Sequence, residues 1–353
     1  KVNMIITEVS VDGYEQVLHG VDTKTGLNSY IAIHNTNLGP ALGGCRYHSY
    51  KTEDDQLNDT LRLAKGMTYK NALAGLDLGG GKATINARSK KSPELWQAFA
   101  SLVNNLDGKY ITSGDIGTTI QDLKEIKNYT NFVLGHDSKT DSGVATAYGV
   151  FQSIKALSKF LHGPNSKSRY GTDSLKDRTI AIQGMGKVGN RLINFCLLDG
   201  AKVIATDTNP EAMINDHAPN ISFVEPDEIY EVECDIFSPC SVGGILNSNT
   251  IPKLKCAGIA DGANNQLETN EHVEHLKDRN IYYVPDYLVN CGGVIIVEKE
   301  RDNTLIDLNY ESPIVKNRLD SIYNTVFKVL YQSVKTNQTI IKICNDLAET
   351  RFQ

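Results

Sequence analysis

The feature that most constrains this chain is the junction of an apolar run, Thr179-Ile180-Ala181-Ile182-Gln183, with the glycine-spaced stretch Gly184-Met185-Gly186-Lys187-Val188-Gly189. The run reads as a buried strand, and the stretch as a turn opening a helix over 188–198. The three glycines permit a tight turn, close approach of another group to bare backbone, and close packing of helix on strand. A second apolar strand, 202–206, ends at Asp207. Strand, helix and strand in this order fold as a right-handed βαβ unit in a parallel sheet. Further runs at 235–237, 257–259 and 282–284 continue the alternation, so this half reads as an α/β domain of the Rossmann type.

A helix opened by such glycines offers free N–H groups to a pyrophosphate. Asp207, eighteen residues past Gly189, stands where an acceptor for a ribose diol belongs. A dinucleotide is therefore expected along Gly184, Met185, Gly186, Val188, Gly189 and Asp207, with Lys187 read as a solvated side chain. The Asp207 carboxylate would repel a 2′-phosphate, and Thr208 and Asn209 add no cation, so NAD is favoured over NADP. Asn264 and Asn290 each have two readings, as ribose contacts or as turn-forming asparagines.

The first half is organised differently. Segments 14–19 and 29–34 alternate as strands about a turn at 22–26. Gly39-Pro40-Ala41-Leu42-Gly43-Gly44 reads as a glycine-bared loop. Thr52 caps a helix whose first turn holds Glu53, Asp54 and Asp55, and whose apolar face, Leu57, Leu61, Ala64 and Met67, ends near Lys70. Leu78-Gly79-Gly80-Gly81-Lys82 follows, with three glycines free to take φ > 0 or to admit a close neighbour. It is not a phosphate-binding P-loop, because Leu76 and Ala83 occupy the positions where that motif needs glycine and Ser/Thr. A strand at 83–86, a helix over 92–106 with Leu95, Phe99 and Leu102 inward, and a strand at 109–112 lead to Ser113-Gly114-Asp115. The carboxyl end of a strand is where ligands bind in open α/β sheets.

Lys70 and Lys82 in one cleft, balanced by Asp115, suit acid–base chemistry near neutral pH. A structural ion-pair cluster is the alternative reading of the three. The expected organisation is a substrate domain over 1–137 and a dinucleotide domain over 138–334, separated by a cleft. Residues 136–143 read as a hinge and 162–177 as a polar loop. Helices are expected at 146–160 and 313–334, and the last one, within 335–353, is expected to pack back on the first domain.

The totals exclude several classes. A net charge of -6 with interspersed signs argues against nucleic acid as a partner. No apolar run is long enough to span a bilayer, and residues 1–6 show no signal-peptide pattern. Seven scattered cysteines without a Cys-x-x-Cys pair argue against disulfides or a zinc site, so no metal is expected and a cytoplasmic location is. Cys291 reads as a packed thiol rather than a nucleophile.

With both halves read, the chain resembles the glutamate, leucine, phenylalanine and valine dehydrogenases over nearly its whole length, most of all the leucine and phenylalanine branch. The carriers include Gly39 to Gly44, Gly66-Met67-Thr68-Tyr69-Lys70, Gly79-Gly80-Gly81-Lys82, Asp115-Ile116-Gly117-Thr118, Thr146-Ala147-Tyr148-Gly149-Val150, Ala263-Asn264-Asn265-Gln266-Leu267 and Pro285-Asp286-Tyr287. The resemblance implies NAD-dependent, reversible oxidative deamination of an L-amino acid to the 2-oxo acid and ammonium, by a homo-oligomer. It implies that Lys70 holds the α-carboxylate, that Lys82 activates water and that Asp115 exchanges protons with the amine. It places Leu42, Gly43, Gly44, Met67, Ser113, Leu134, Val294 and Val297 around the substrate and Thr146 at the cofactor. None of the lining residues is charged, so a dicarboxylic substrate would bury an unpaired carboxylate. Leucine, valine or isoleucine is expected, with phenylalanine as the alternative. Three departures stand out: Leu134 replaces a threonine, Ser113-Gly114 replaces an Ala-Glu pair, and Ser142-Gly143-Val144-Ala145 lacks a proline. The last two leave a third reading, a catalytically silent NAD-binding regulator.

Overall fold

The computed structural model of the protein describes residues 4–88, 90–137, 141–163, 173–213, 220–301 and 309–353. These divide into two compact units. The first draws on Lys1–Thr140, Val297–Asn309 and Leu347–Gln353, the second on Asp141–Ile296 and Tyr310–Asp346. Two sequence boundaries change in detail. Val297–Asn309 groups with the first unit, and only Leu347–Gln353 of the terminal segment does so. The polar loop at 162–177 and the hinge at 136–143 fall partly outside the described residues.

The first unit carries β1 (Ile5–Glu8), β2 (Gln16–Asp22), β3 (Leu27–Asn35), β4 (Ala41–His48), α1 (Glu53–Leu73), β5 (Gly79–Asn86), α2 (Pro93–Asn104), β6 (Tyr110–Gly114) and α3 (Ile120–Lys127). Its sheet runs β1-β2-β3-β5-β4-β6. The β4–β5 and β4–β6 pairs are parallel and the rest antiparallel. On one face Leu95, Phe99 and Leu102 of α2 pack with Ile31, Ile85 and Tyr110 in the main core.

The stretch 39–44, expected as a loop, enters a strand at Ala41, and the strand expected at 83–86 begins earlier, at Gly79. Gly43 and Gly44 lie inside β4, and Gly79, Gly80 and Gly81 open β5. None of the five has positive φ. What they provide is close approach. A Cβ on Gly79 would stand 2.0 Å from the Asn35 carbonyl oxygen, and one on Gly80 2.0 Å from the Thr68 amide nitrogen. The helix α1 therefore sits almost on the strand. Its fully buried stripe is Gln56, Thr60, Ala64, Thr68 and Asn71, while Leu57 and Leu61, on the face that apolar spacing pointed to, are partly buried and pack with Ala64 against Val17, Tyr30 and Ala32. At that distance only small or hydrogen-bonded side chains fit. Thr60 meets the Thr84 hydroxyl at 2.7 Å, and the Asn71 amide donates to the Gly79 carbonyl at 2.7 Å. The Thr60 hydroxyl and the Asn71 amide nitrogen each find such a partner, which offsets the cost of burying them.

The second unit carries α4 (Ser142–His162), β7 (Thr179–Gln183), α5 (Gly189–Leu198), β8 (Lys202–Thr206), β9 (Ile221–Phe223), β10 (Ile236–Pro239), β11 (Gly258–Ala260), α6 (His272–Asp278), β12 (Tyr282–Val284), α7 (Asp286–Val289), α8 (Gly292–Glu298) and α9 (Pro313–Thr336). The last helix, α10 (Ile340–Phe352), is shared between the units. The sheet is parallel in every pair and runs β12-β11-β10-β7-β8-β9. That is the doubly wound order of a dinucleotide-binding domain, with its reversal between β7 and β10. Helix α4 starts earlier than 146 because Asp141 caps it, accepting from the Gly143 and Val144 amides.

Candidate active site

In the first unit, β4 lies between β5, which carries Lys82, and β6, which delivers Asp115. Lys82 is buried, and its Nζ stands 3.1 Å from Asp115 Oδ2. The two side chains meet above Gly44. A Cβ there would come within 2.4 Å of the Gly114 carbonyl oxygen and 3.0 Å of the Asp115 Cβ. Gly43 is equally committed, since its Cβ would fall 1.6 Å from the Gly81 oxygen, and its own carbonyl accepts from the buried Tyr110 hydroxyl at 2.6 Å.

A third charged residue belongs to this centre and was missed by sequence reasoning. Arg46 Nε donates to Asp115 Oδ2 at 2.8 Å, and its Nη1 reaches Asp59 Oδ2 at 3.0 Å. Tyr50 and Arg62 also bind Asp59, at 2.8 and 2.6 Å. Burial pushes the Asp115 carboxyl up, but Lys82 and then Arg46 outweigh it and hold it at about 2. Asp115 is therefore an anion at neutral pH. The backbone of Asp115 is fixed by the Thr118 hydroxyl, which accepts its amide at 2.8 Å. The only hint of Arg46 in the sequence was its place two residues after Gly44.

Other expected substrate residues of this unit lie as follows. Leu42 is buried on β4, and Met67 and Lys70 are half-buried one turn apart in α1. Ser113 and Leu134 are neighbours: the Leu134 amide donates to the Thr112 carbonyl, and a Cβ on Gly135 would meet Ser113 Oγ at 2.9 Å. Val297 is buried and groups with this unit, while Val294, one turn earlier on α8, groups with the other.

In the second unit the glycine fingerprint divides its tasks. Gly184 has φ of 93°, a Cβ on Gly189 would lie 1.9 Å from the Gly184 oxygen, and a Cβ on Gly186 would meet nothing within 4 Å. Turn, helix packing and open approach thus fall on separate residues. Asp207 follows β8 and accepts from the Met185 amide at 2.6 Å and the Asn209 amide at 2.8 Å. Val188 precedes α5 without a side-chain cap, which leaves the amides there for a phosphate. Lys187 is exposed, as read from sequence, with its stem against Gly143. Asn290 donates to the Asn264 side-chain oxygen at 2.8 Å, which brings two expected cofactor residues together. Thr146 turns its hydroxyl back to the Ser142 carbonyl, and a Cβ on Gly293 would meet that hydroxyl at 2.7 Å. Next to this group Asp261 is fully buried, its carboxyl pushed well above its ordinary value by burial and then by Asp286, with Tyr283 offsetting part of the rise. The residues present fit a dinucleotide. Among the described residues no His/Cys/Asp/Glu group could hold a metal ion, and no helix is long and apolar enough to cross a membrane.

Comparison with known proteins places these features in context. Residues 15–131 match the Glu/Leu/Phe/Val dehydrogenase dimerisation domain, and residues 208–352 the Glutamate/Leucine/Phenylalanine/Valine dehydrogenase domain. Residues 144–250 match the NAD-binding domain of D-isomer specific 2-hydroxyacid dehydrogenases. The chain is 43% identical to leucine dehydrogenase of Bacillus cereus, covering 96% of this chain and 91% of that one. It is 40% identical to phenylalanine dehydrogenase of Caldalkalibacillus thermarum, covering 99% and 94%. Among solved structures, L-tryptophan dehydrogenase from Nostoc punctiforme superposes with a TM-score of 0.80 at 35% identity, covering 96% of each chain.

Proposed function

The chain belongs to the Glu/Leu/Phe/Val dehydrogenase family of amino acid oxidoreductases, within its leucine and phenylalanine branch, and we propose that it oxidatively deaminates a branched-chain L-amino acid with NAD. The observation that carries this reading is the buried contact between Lys82 and Asp115 over a bare glycine floor. Amino acid, NAD⁺ and water give 2-oxo acid, ammonium, NADH and a proton. Bound NAD⁺ supplies the hydride acceptor.

The chain's own residues do the rest. Lys70 holds the α-carboxylate as a point charge. Asp115, ionised at neutral pH, takes a proton from the substrate ammonium so that the amine's lone pair can assist loss of hydride from Cα. Water then adds to the iminium carbon, and Lys82 accepts the water's proton. The Lys82–Asp115 hydrogen bond gives the proton a path between them. On the reverse reaction each transfer runs backwards.

Leu42, Met67, Leu134 and Val297 offer an apolar wall, which supports a branched aliphatic side chain. Asp207 supports NAD over NADP, since its carboxylate would repel a 2′-phosphate. The dimerisation-domain match supports a homo-oligomer. An aromatic amino acid is the second reading, favoured by the match to phenylalanine dehydrogenase over 99% of the chain. The test is NADH absorbance at alkaline pH with a panel of apolar L-amino acids, ranked by kcat/KM. The highest value on leucine, valine or isoleucine is expected. A preference for phenylalanine or tryptophan would replace the substrate, and no turnover with any member would overturn the function.

A further inference from the structure

We propose that Arg46 is a positioning residue of the reaction, one that pins the Asp115 carboxylate by a single oxygen and aims the other at the substrate amine. The inference rests on the deaminase reading above and adds to it a residue, outside the Lys70, Lys82 and Asp115 set, that the reaction depends on.

The register of the sheet sets Arg46 where it can act. Cys45 of β4 faces Gly114 of β6, and the ladder continues through the Tyr47 amide to the Ile116 carbonyl at 2.9 Å. Arg46 and Asp115 are thus the next opposed pair, with side chains on one face. Arg46 Nε and Lys82 Nζ both take Oδ2, at 2.8 and 3.1 Å. Two cations on one oxygen leave Oδ1 as the atom for proton exchange. A lone lysine could not fix that choice, because an ammonium on a flexible stem turns freely about either oxygen. The planar guanidinium is itself held: Nη1 is bound to Asp59 Oδ2 at 3.0 Å, and Asp59 is braced by Tyr50. The Arg46 side chain is only 10% exposed, so the bond to Asp115 is little weakened by water. Asp59 stands on α1, three turns before Lys70, so the same fork ties the helix of the carboxylate-binding lysine to the strand of the proton-exchanging aspartate.

Three variants and the unaltered enzyme test this in steady-state assays with the best substrate of the panel. Arg46→Gln is expected to lower kcat by ~10- to 100-fold while KM for NAD stays within about twofold. Arg46→Lys, which restores the charge but not the fork, is expected to recover only part of that loss. Asp59→Asn, remote from the reacting atoms, is expected to lower kcat by roughly 3- to 10-fold through a looser guanidinium. The inference is overturned if Arg46→Gln keeps kcat within about twofold of the unaltered enzyme, or if Lys and Gln lose kcat equally. Should Arg46→Gln not fold, a wild-type kcat in Asp59→Asn overturns it alone. Turnover by the unaltered enzyme decides the deaminase reading separately, so failure of one is not mistaken for failure of the other.

Discussion

Lys82 and Asp115 form a buried ion pair of 3.1 Å although their strands are not neighbours: β4 runs between them, and the contact closes over Gly44. Adjacent strands are ~4.8 Å apart, so the two must span roughly twice that, and Gly44 on the middle strand leaves open the space they cross.

Gly44→Ala should therefore damage both fold and chemistry. Its methyl would meet the Gly114 backbone oxygen at 2.4 Å, and backbone in mid-sheet cannot yield cheaply. A loss of ~1–3 kcal/mol in urea unfolding is expected, with a fall in kcat larger than the change in KM for NAD. Wild-type stability and kcat together would show that the glycine floor is not needed.

Lys82→Ala should lower kcat by ~100-fold or more, since it removes the proton acceptor for water. NAD affinity by calorimetry should hardly change, because the glycine fingerprint lies in the other unit. A variant that keeps turnover would remove Lys82 from the mechanism.

The parts of this design that were legible in the sequence follow from strong local signals. The β7–glycine–α5 junction has strand, turn and helix encoded in consecutive residues, and Asp207 lies a fixed distance beyond. The Lys82–Asp115 pair was legible because motif order brought both residues forward. The strand character of Gly43 and Gly79–Gly81 was not. Glycine has low intrinsic strand preference, and its use here depends on neighbours, such as Thr68 and Asn35, that are distant in sequence. The polar part of the buried stripe of α1 was not legible for the same reason: apolar periodicity marks the face of Leu57, Leu61 and Ala64, which packs by hydrophobic contact, whereas the adjoining stripe is built on threonine, glutamine and asparagine bonded to strand atoms. Arg46 escaped because a lone arginine near a strand end is ordinarily solvent-facing, and only the β4–β6 register shows what it faces.

Asp115 should make stability fall in acid. Its carboxyl drops from an ordinary 3.8 to about 2 in the folded protein. An acid whose pKa is lowered on folding stabilises above its unfolded value, and that contribution disappears as pH falls through the folded value. The contribution is ~2 kcal/mol, fully present above about pH 4 and lost toward pH 2. Urea unfolding across this range should show the gap between wild type and Asp115→Asn closing as pH falls. A constant gap would show that the ion pairs do not depress this carboxyl.

Asp207→Ser should raise kcat/KM for NADP relative to NAD, by removing the charge that repels a 2′-phosphate. A gain of ~10-fold in the ratio is expected from loss of repulsion alone, with affinity for NAD also reduced. An unchanged ratio would mean that another residue reads the ribose.

Asp261 provides the opposite linkage to Asp115. It is fully buried after β11, and burial first, then the nearby Asp286, push its carboxyl well above its ordinary value. An acid whose pKa is raised on folding contributes most below its unfolded value of 3.8, and stability declines as pH rises above that, until the folded protein also gives up the proton. Wherever the folded protein holds this proton and the unfolded chain does not, unfolding releases it, and the free energy of unfolding falls as pH rises. Asp261→Asn has the same shape as the protonated acid and nothing to release. It should be at least as stable as wild type at pH 7, with the advantage growing between acid and neutral pH, and it should keep NAD binding. Asp261→Ala removes volume and hydrogen-bonding capacity together and should be less stable than either. Urea titrations at several pH values separate the cases. If wild type and Asp261→Asn give parallel stability curves, Asp261 is ionised in the fold and a cation must reach it.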